Sequence, residues 1–147
     1  MDTFSEKAIE VMDFARIEAQ YLQQNYIGSE HILLGLLHQE GSAAVDVIKN
    51  FGVELSKVRD ELLSIIDRPD RIVIQEFGLA PSSKKAIKLA AAETKRLGKP
   101  TIGTISILLG LVLAKDGIAA AVLENHGITP ENVRLGALQV LSQRDDS

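Results

Sequence analysis

The chain has 147 residues, of which 46% are apolar, with no cysteine and a formal net charge of −4. That apolar fraction excludes a disordered chain and suits one globular domain or two half-domains sharing a core. The missing cysteine removes disulfides, thiolate zinc sites and cysteine nucleophiles together, and the acidic balance speaks against nucleic acid as a partner. No run of about 18 uncharged apolar residues is present, so no membrane span is expected. The first residues, Met1-Asp2-Thr3-Phe4-Ser5-Glu6, lack the basic-then-apolar pattern of a signal peptide, and a cytoplasmic protein is expected.

In chain order, Thr3-Phe4-Ser5-Glu6 has capping-box spacing, and Phe4, Ala8, Val11, Ala15 and Leu22 then form a helical stripe to about Gln23. Asn25-Tyr26-Ile27-Gly28 breaks that helix. Ser29 can cap a second helix through Leu37, apolar almost all round and therefore expected at the centre of the core. Ser42 can cap a third helix to about Asn50, closed by Gly52 in a left-handed conformation. A fourth runs from about Glu54 to Ile66. Residues 67–78 include the β-prone run Arg71–Phe77, which has no evident pairing partner and reads as an extended linker. Four more helices are expected near Ser82–Leu97, Thr104–Ala114, Gly117–Asn125 and Pro130–Leu141, the last announced by Thr129-Pro130-Glu131.

The second set of helices copies the first at an offset of 75 residues. Ile27-Gly28-Ser29-Glu30-His31-Ile32-Leu33-Leu34-Gly35-Leu36 returns as Ile102-Gly103-Thr104-Ile105-Ser106-Ile107-Leu108-Leu109-Gly110-Leu111. Without a gap, Ala15 falls on Ala90, Glu18 on Glu93, Gly52 on Gly127, and Val58-Arg59 on Val133-Arg134. Two copies of this length make a pseudo-symmetric domain rather than a solenoid. The fold expected is all-α, eight helices in two pseudo-two-fold-related four-helix repeats within one domain spanning 1–147. Repeat one covers 3–66 and repeat two 79–141. Because the two repeats complete one core, a monomer is expected.

The copies differ in charge. Residues 1–75 carry 7 basic and 13 acidic side chains, and residues 76–147 carry 9 and 7. Lys84, Lys88, Lys95 and Lys99 fall roughly on one helical face, either as a solvated surface or as a partner-docking patch. Catalytic patterns are missing: Gly98-Lys99-Pro100 is not a phosphate-binding loop, and there is neither Gly-x-Ser-x-Gly nor His-Glu-x-x-His. His31, His38 and His126 are not spaced as metal ligands. No enzyme, no cofactor and no metal site is expected.

The Ile-Gly-Ser-Glu-His-Ile-Leu-Leu-Gly-Leu segment, its second copy and the trailing Gly-(x)₅-Val-Arg elements resemble the Clp N-terminal repeat domain, closest to the ClpC type. The resemblance covers nearly the whole chain. It implies a non-catalytic module that recruits adaptors and substrates to a Clp AAA+ ATPase for degradation by a ClpP-type protease. It leaves open a stand-alone accessory protein, which the degenerate second copy favours, or the N-domain of a full unfoldase, and it allows a plastid stroma location for a plant protein. A regulator binding a partner outside proteolysis through the lysine face is a third reading. Some ClpC-type members also bind phosphoarginine. The resemblance then implies a glutamate for the guanidinium at Glu30 and a donor near a helix start at Ser5; His31 matches the motif as well, with a structural hydrogen bond beside the helix start as its competing role. Repeat two has Ala80 and Ile105 in place of the hydroxyl and the glutamate, so at most one such site is expected. Ser5, Ser29, Glu30, His31, Lys84 and Lys88 are the candidate partner-binding residues.

Overall fold

A computed structural model describes residues 3–66 and 78–145. Its helices are α1 (Glu6–Tyr21), α2 (Ser29–His38), α3 (Ala43–Asn50), α4 (Leu55–Ile66), α5 (Pro81–Arg96), α6 (Thr104–Leu113), α7 (Ile118–Asn125) and α8 (Pro130–Leu141). Among the described residues no single helix is long and apolar enough to cross a membrane. The Arg71–Phe77 run lies outside the described residues.

The two helices without a polar face lie at the centre, as their composition requires. Ile32, Leu33, Leu34 and Leu36 of α2 and Ile105, Leu108, Leu109 and Leu111 of α6 are essentially solvent-free. Amphipathic α1 covers α2, and α5 covers α6, along their alanine-rich stripes Ala8-Val11-Ala15-Ala19 and Ala86-Ala90. The third and fourth helices then exchange partners: α3 packs on α8 of the other repeat, and α4 on α7. The repeats therefore interlock into one core rather than standing as two half-domains.

Contacts obey the same 75-residue offset as the sequence. Arg59 of α4 pairs with Glu18 of α1 at 3.6 Å, and their mates Arg134 and Glu93 pair at 2.8 Å. Two short strands, β1 (Tyr26–Ile27) and β2 (Gly78–Leu79), run parallel with Ile27 opposite Leu79; the mates of these residues, Ile102 and Phe4, form an isolated parallel bridge. Ser5 N–H donates to Ile102 C=O and Ala80 N–H to Ile27 C=O, each at 2.9 Å. Each repeat thus begins by pairing with the other, and the crossed pairs straddle the pseudo-two-fold axis.

Several local expectations are revised. The cap of α1 is Ser5, whose Oγ accepts from Ala8 N–H at 3.2 Å, rather than Thr3. Gly28 precedes α2 and Ser29 is its first helical residue. Gly78, read as the end of a linker without a pairing partner, instead enters β2 against Tyr26. The expected left-handed Gly52 is present at φ 75°, as is its mate Gly127 at 77°.

Candidate docking groove

Ser29 and its mate Thr104 open the two central helices, and both are fully buried. Their hydroxyls act across the repeats: Ser29 Oγ accepts from Ala119 N–H of α7 at 3.1 Å, and Thr104 Oγ1 accepts from Ala44 N–H of α3 at 3.1 Å. These are caps supplied in trans to helix ends that would otherwise bury unpaired donors. Ser29 is spent on the scaffold.

His31 is equally internal. Its Nδ1 accepts from Gly28 N–H at 2.9 Å, so Nε2 carries the proton and donates to the Gln24 side-chain carbonyl. Burial holds its pKa down at about 4, which keeps the ring neutral. Glu30 is 4% exposed, and its carboxylate folds back over Gly28 to accept from the Tyr26 hydroxyl at 3.3 Å. Burial pushes that carboxyl up from its ordinary range, against the opposing pull of its own backbone N–H and the Tyr26 hydroxyl. Ser5 is bonded to Ile102, before α6, whereas the segment before α2 is bonded to Ala80. The crossing therefore pairs the start of α1 with the neighbourhood of Ile105, and that of Glu30 with the start of α5.

The lysines face outward. Lys84, Lys88 and Lys95 stand exposed along one side of α5 and border a groove of about 630 Å³. Its floor is Ile87, Ala91 and Ala92 of α5, and its walls are Phe4, Leu79 and Ile102. The bridge between Phe4 and Ile102 thus builds one wall from both repeats. Lys99 falls beyond the end of α5, while Lys85 and Arg96 have partners in Asp116 at 3.7 Å and Glu93 at 3.1 Å. Lys84, Lys88 and Lys95 make no ion pair among the described residues.

The arrangement sets an apolar slot beside three exposed ammonium groups. Among the described residues no three histidine or carboxylate side chains gather as a metal cluster. Phe4 and Leu79 are half-buried against the core and also line the groove. Sequence reasoning missed the part played by Ile102 and the small floor residues, although the substitution of Ala91-Ala92 for Arg16-Ile17 at the 75-residue offset was its signal.

The model for the Clp repeat (R) N-terminal domain matches residues 3–126 and 79–146. The chain belongs to this family. This Clp N-domain is 38% identical over 146 residues to the chloroplastic chaperone protein ClpC of Pisum sativum, covering 99% of the chain and 16% of that relative. ClpC1 of Arabidopsis thaliana, also chloroplastic, is 37% identical over 145 residues, again with 99% and 16% covered. The chain thus spans about a sixth of the length of such relatives. Among solved structures, the Hsp104 N-terminal domain from Candida albicans superposes with a TM-score of 0.80 at 15% identity, over 99% of this chain and 97% of that one. The ClpV N-domain in complex with a VipB peptide gives a TM-score of 0.78 at 19% identity, over 99% and 91%. At such identities the shared property is the all-α fold.

Proposed function

We propose that this Clp N-domain is a non-catalytic docking module of a Clp-type unfoldase system, and that it receives adaptor or substrate proteins in the α5 groove. The observation that carries the reading is the apolar floor of Ile87, Ala91 and Ala92 bounded by Lys84, Lys88 and Lys95. Such a site selects a short segment with apolar side chains on one face and carboxylates beside them. The apolar part supplies affinity and the lysines supply orientation and encounter rate. Peptide capture by the ClpV N-domain, which has the same fold, supports a receptor role for this one. The module serves the same purpose joined to an AAA+ ATPase or acting on one from outside.

The test is a fluorescence-anisotropy titration with a labelled amphipathic peptide that carries leucines flanked by glutamates, alongside the same peptide with lysines in place of the glutamates. The acidic peptide is expected to bind saturably, more weakly as salt rises, and at least about tenfold more weakly to the Lys84→Glu/Lys88→Glu variant. Equal binding of both peptides, or binding indifferent to the charge reversal, overturns the reading.

A further inference from the structure

α1 and α5 are mates under the 75-residue offset, yet their outward faces have diverged in opposite directions. The groove positions Lys84, Lys88, Ala91, Ala92 and Lys95 correspond on α1 to Ile9, Asp13, Arg16, Ile17 and Gln20. Where α5 has two alanines, α1 has the bulk of Arg16 and Ile17, so a ridge replaces the groove. The ridge is apolar and acidic. Ile9, Ile17 and Tyr21 are 47%, 52% and 82% exposed, and Glu6, Glu10 and Asp13 stand exposed among them with Arg16 as the exposed cation. Glu6, Glu10 and Asp13 make no ion pair among the described residues, just as Lys84, Lys88 and Lys95 make none. The chain therefore displays both an acidic, isoleucine-bearing helix and a lysine-bordered apolar groove suited to one.

Symmetry permits the two to meet. Both faces flank the pseudo-two-fold axis, because the crossed Phe4–Ile102 and Ile27–Leu79 pairs lie beside it. A second two-fold axis perpendicular to the first would set α1 of one copy against α5 of the other, twice in the same contact. Such an interface is isologous and closes on itself, so it yields a pair and not a filament.

We propose that two copies of this chain pair face to face, the acidic α1 ridge of each lodged in the basic α5 groove of the other. The proposal rests on the reading of that groove as a docking surface. Pairing covers the groove, so an outside partner must displace the second copy's α1. The monomer expected from a self-sufficient core is then the dissociated, receptive form.

Sedimentation velocity across a wide concentration range, at low and high salt, tests the pairing. The wild-type chain is expected to dimerise reversibly, with association weakened by salt. Glu10→Lys/Asp13→Lys and Lys84→Glu/Lys88→Glu should each raise the dimer Kd at least about tenfold. An equimolar mixture of the two variants should dimerise again, because each reversed face then meets its new complement. A wild-type chain that stays monomeric throughout, variants that dimerise like the wild type, or a mixture that fails to recover pairing overturns the proposal. The Glu10→Lys/Asp13→Lys variant keeps its groove, so it is also titrated with the acidic peptide. Peptide binding by a strictly monomeric wild-type chain sinks the pairing alone. Reversible, salt-sensitive dimers rescued in the mixture, without peptide binding, support the pairing and sink the adaptor reading.

Discussion

Gly35 in α2 and Gly110 in α6 mark where the central helices touch the backbone of their covering helices. A Cβ on Gly35 would fall on the Val11 carbonyl oxygen and lie 3.3 Å from Ala15 N; one on Gly110 would fall on the Ala86 carbonyl oxygen and lie 3.0 Å from Ala90 N. The obstructing atoms are backbone, so relief requires α1 or α5 to lift away along its alanine stripe. Overpacking of this kind costs up to about 3 kcal/mol, and replacing a helical glycine by alanine returns about 1 kcal/mol. Gly35→Ala and Gly110→Ala are therefore each expected to destabilise by about 2 kcal/mol, which for a domain of this size lowers the Tm by about 4–8 °C. Thermal melts followed by circular dichroism measure this directly, with Gly41→Ala as the control because nothing lies within 4 Å of its added Cβ. A Gly35→Ala protein that melts at or above the wild type would refute the close crossing of α1 and α2.

The trans caps make a second target: Ser29→Ala or Thr104→Val strands a buried N–H of Ala119 or Ala44, an expected loss of about 1–3 kcal/mol in urea unfolding at unchanged m. Unaltered midpoints would show that the caps contribute nothing. His31 links stability to acid, because the unfolded imidazole takes a proton below its ordinary 6.5 while the folded one resists to about 4. Stability should fall as pH drops through that window, by at most about 3 kcal/mol, partly offset by Glu30, whose raised carboxyl favours the folded state as it protonates. His31→Gln should flatten the loss, and an equal slope in both proteins counts against it. Gln23 adopts φ 58° where its mate Gly98 adopts 68°, so Gln23→Gly should stabilise by about 1 kcal/mol in the same melts, and a lower Tm would contradict the strain. Phosphoarginine titrated at neutral pH should leave the amides around Glu30 unmoved, since that carboxylate is buried beneath Tyr26; a saturable shift abolished by Glu30→Ala would show that the site opens.

What was legible in the sequence was whatever repeats or periodicity makes visible. The two largely apolar decamers announced the central helices, Ser42 and Thr129 announced the caps of α3 and α8, and Gly52 announced its left-handed turn. The crossed strands were not legible, because two residues such as Tyr26–Ile27 are too short to show alternation. Nor were the trans caps, which join residues 90 and 60 positions apart and resemble ordinary local capping in a linear reading. Ser5 and Glu30 stood out as a ligand pair, but helix-start hydroxyls and carboxylates serve scaffold and ligand equally well, and a linear reading does not separate the two roles. The lysine face was visible as charge. The slot beneath it required the Phe4–Ile102 bridge.

Comparison of the two copies divides the positions by role. At the contacts that hold the helices together, mates keep their chemistry: Gly35 with Gly110, Ala15 with Ala90, Ser29 with Thr104, and the partly exposed Glu18–Arg59 pair with Glu93–Arg134, while buried Glu30 and His31 give way to Ile105 and Ser106. Outside, on α1 and α5, they part: Ile9 with Lys84, Asp13 with Lys88, Ile17 with Ala92. Exposed charges contribute little to stability, so the fold is nearly indifferent to this divergence, and its consequence falls on binding. A symmetric scaffold with equal faces would take two identical ligands. With the proposed docking, one basic groove and one acidic ridge should take a single acidic ligand, so isothermal titration with the acidic peptide should give one site per chain. Two equivalent sites would mean that α1 also receives it, and that the charge asymmetry does not govern docking.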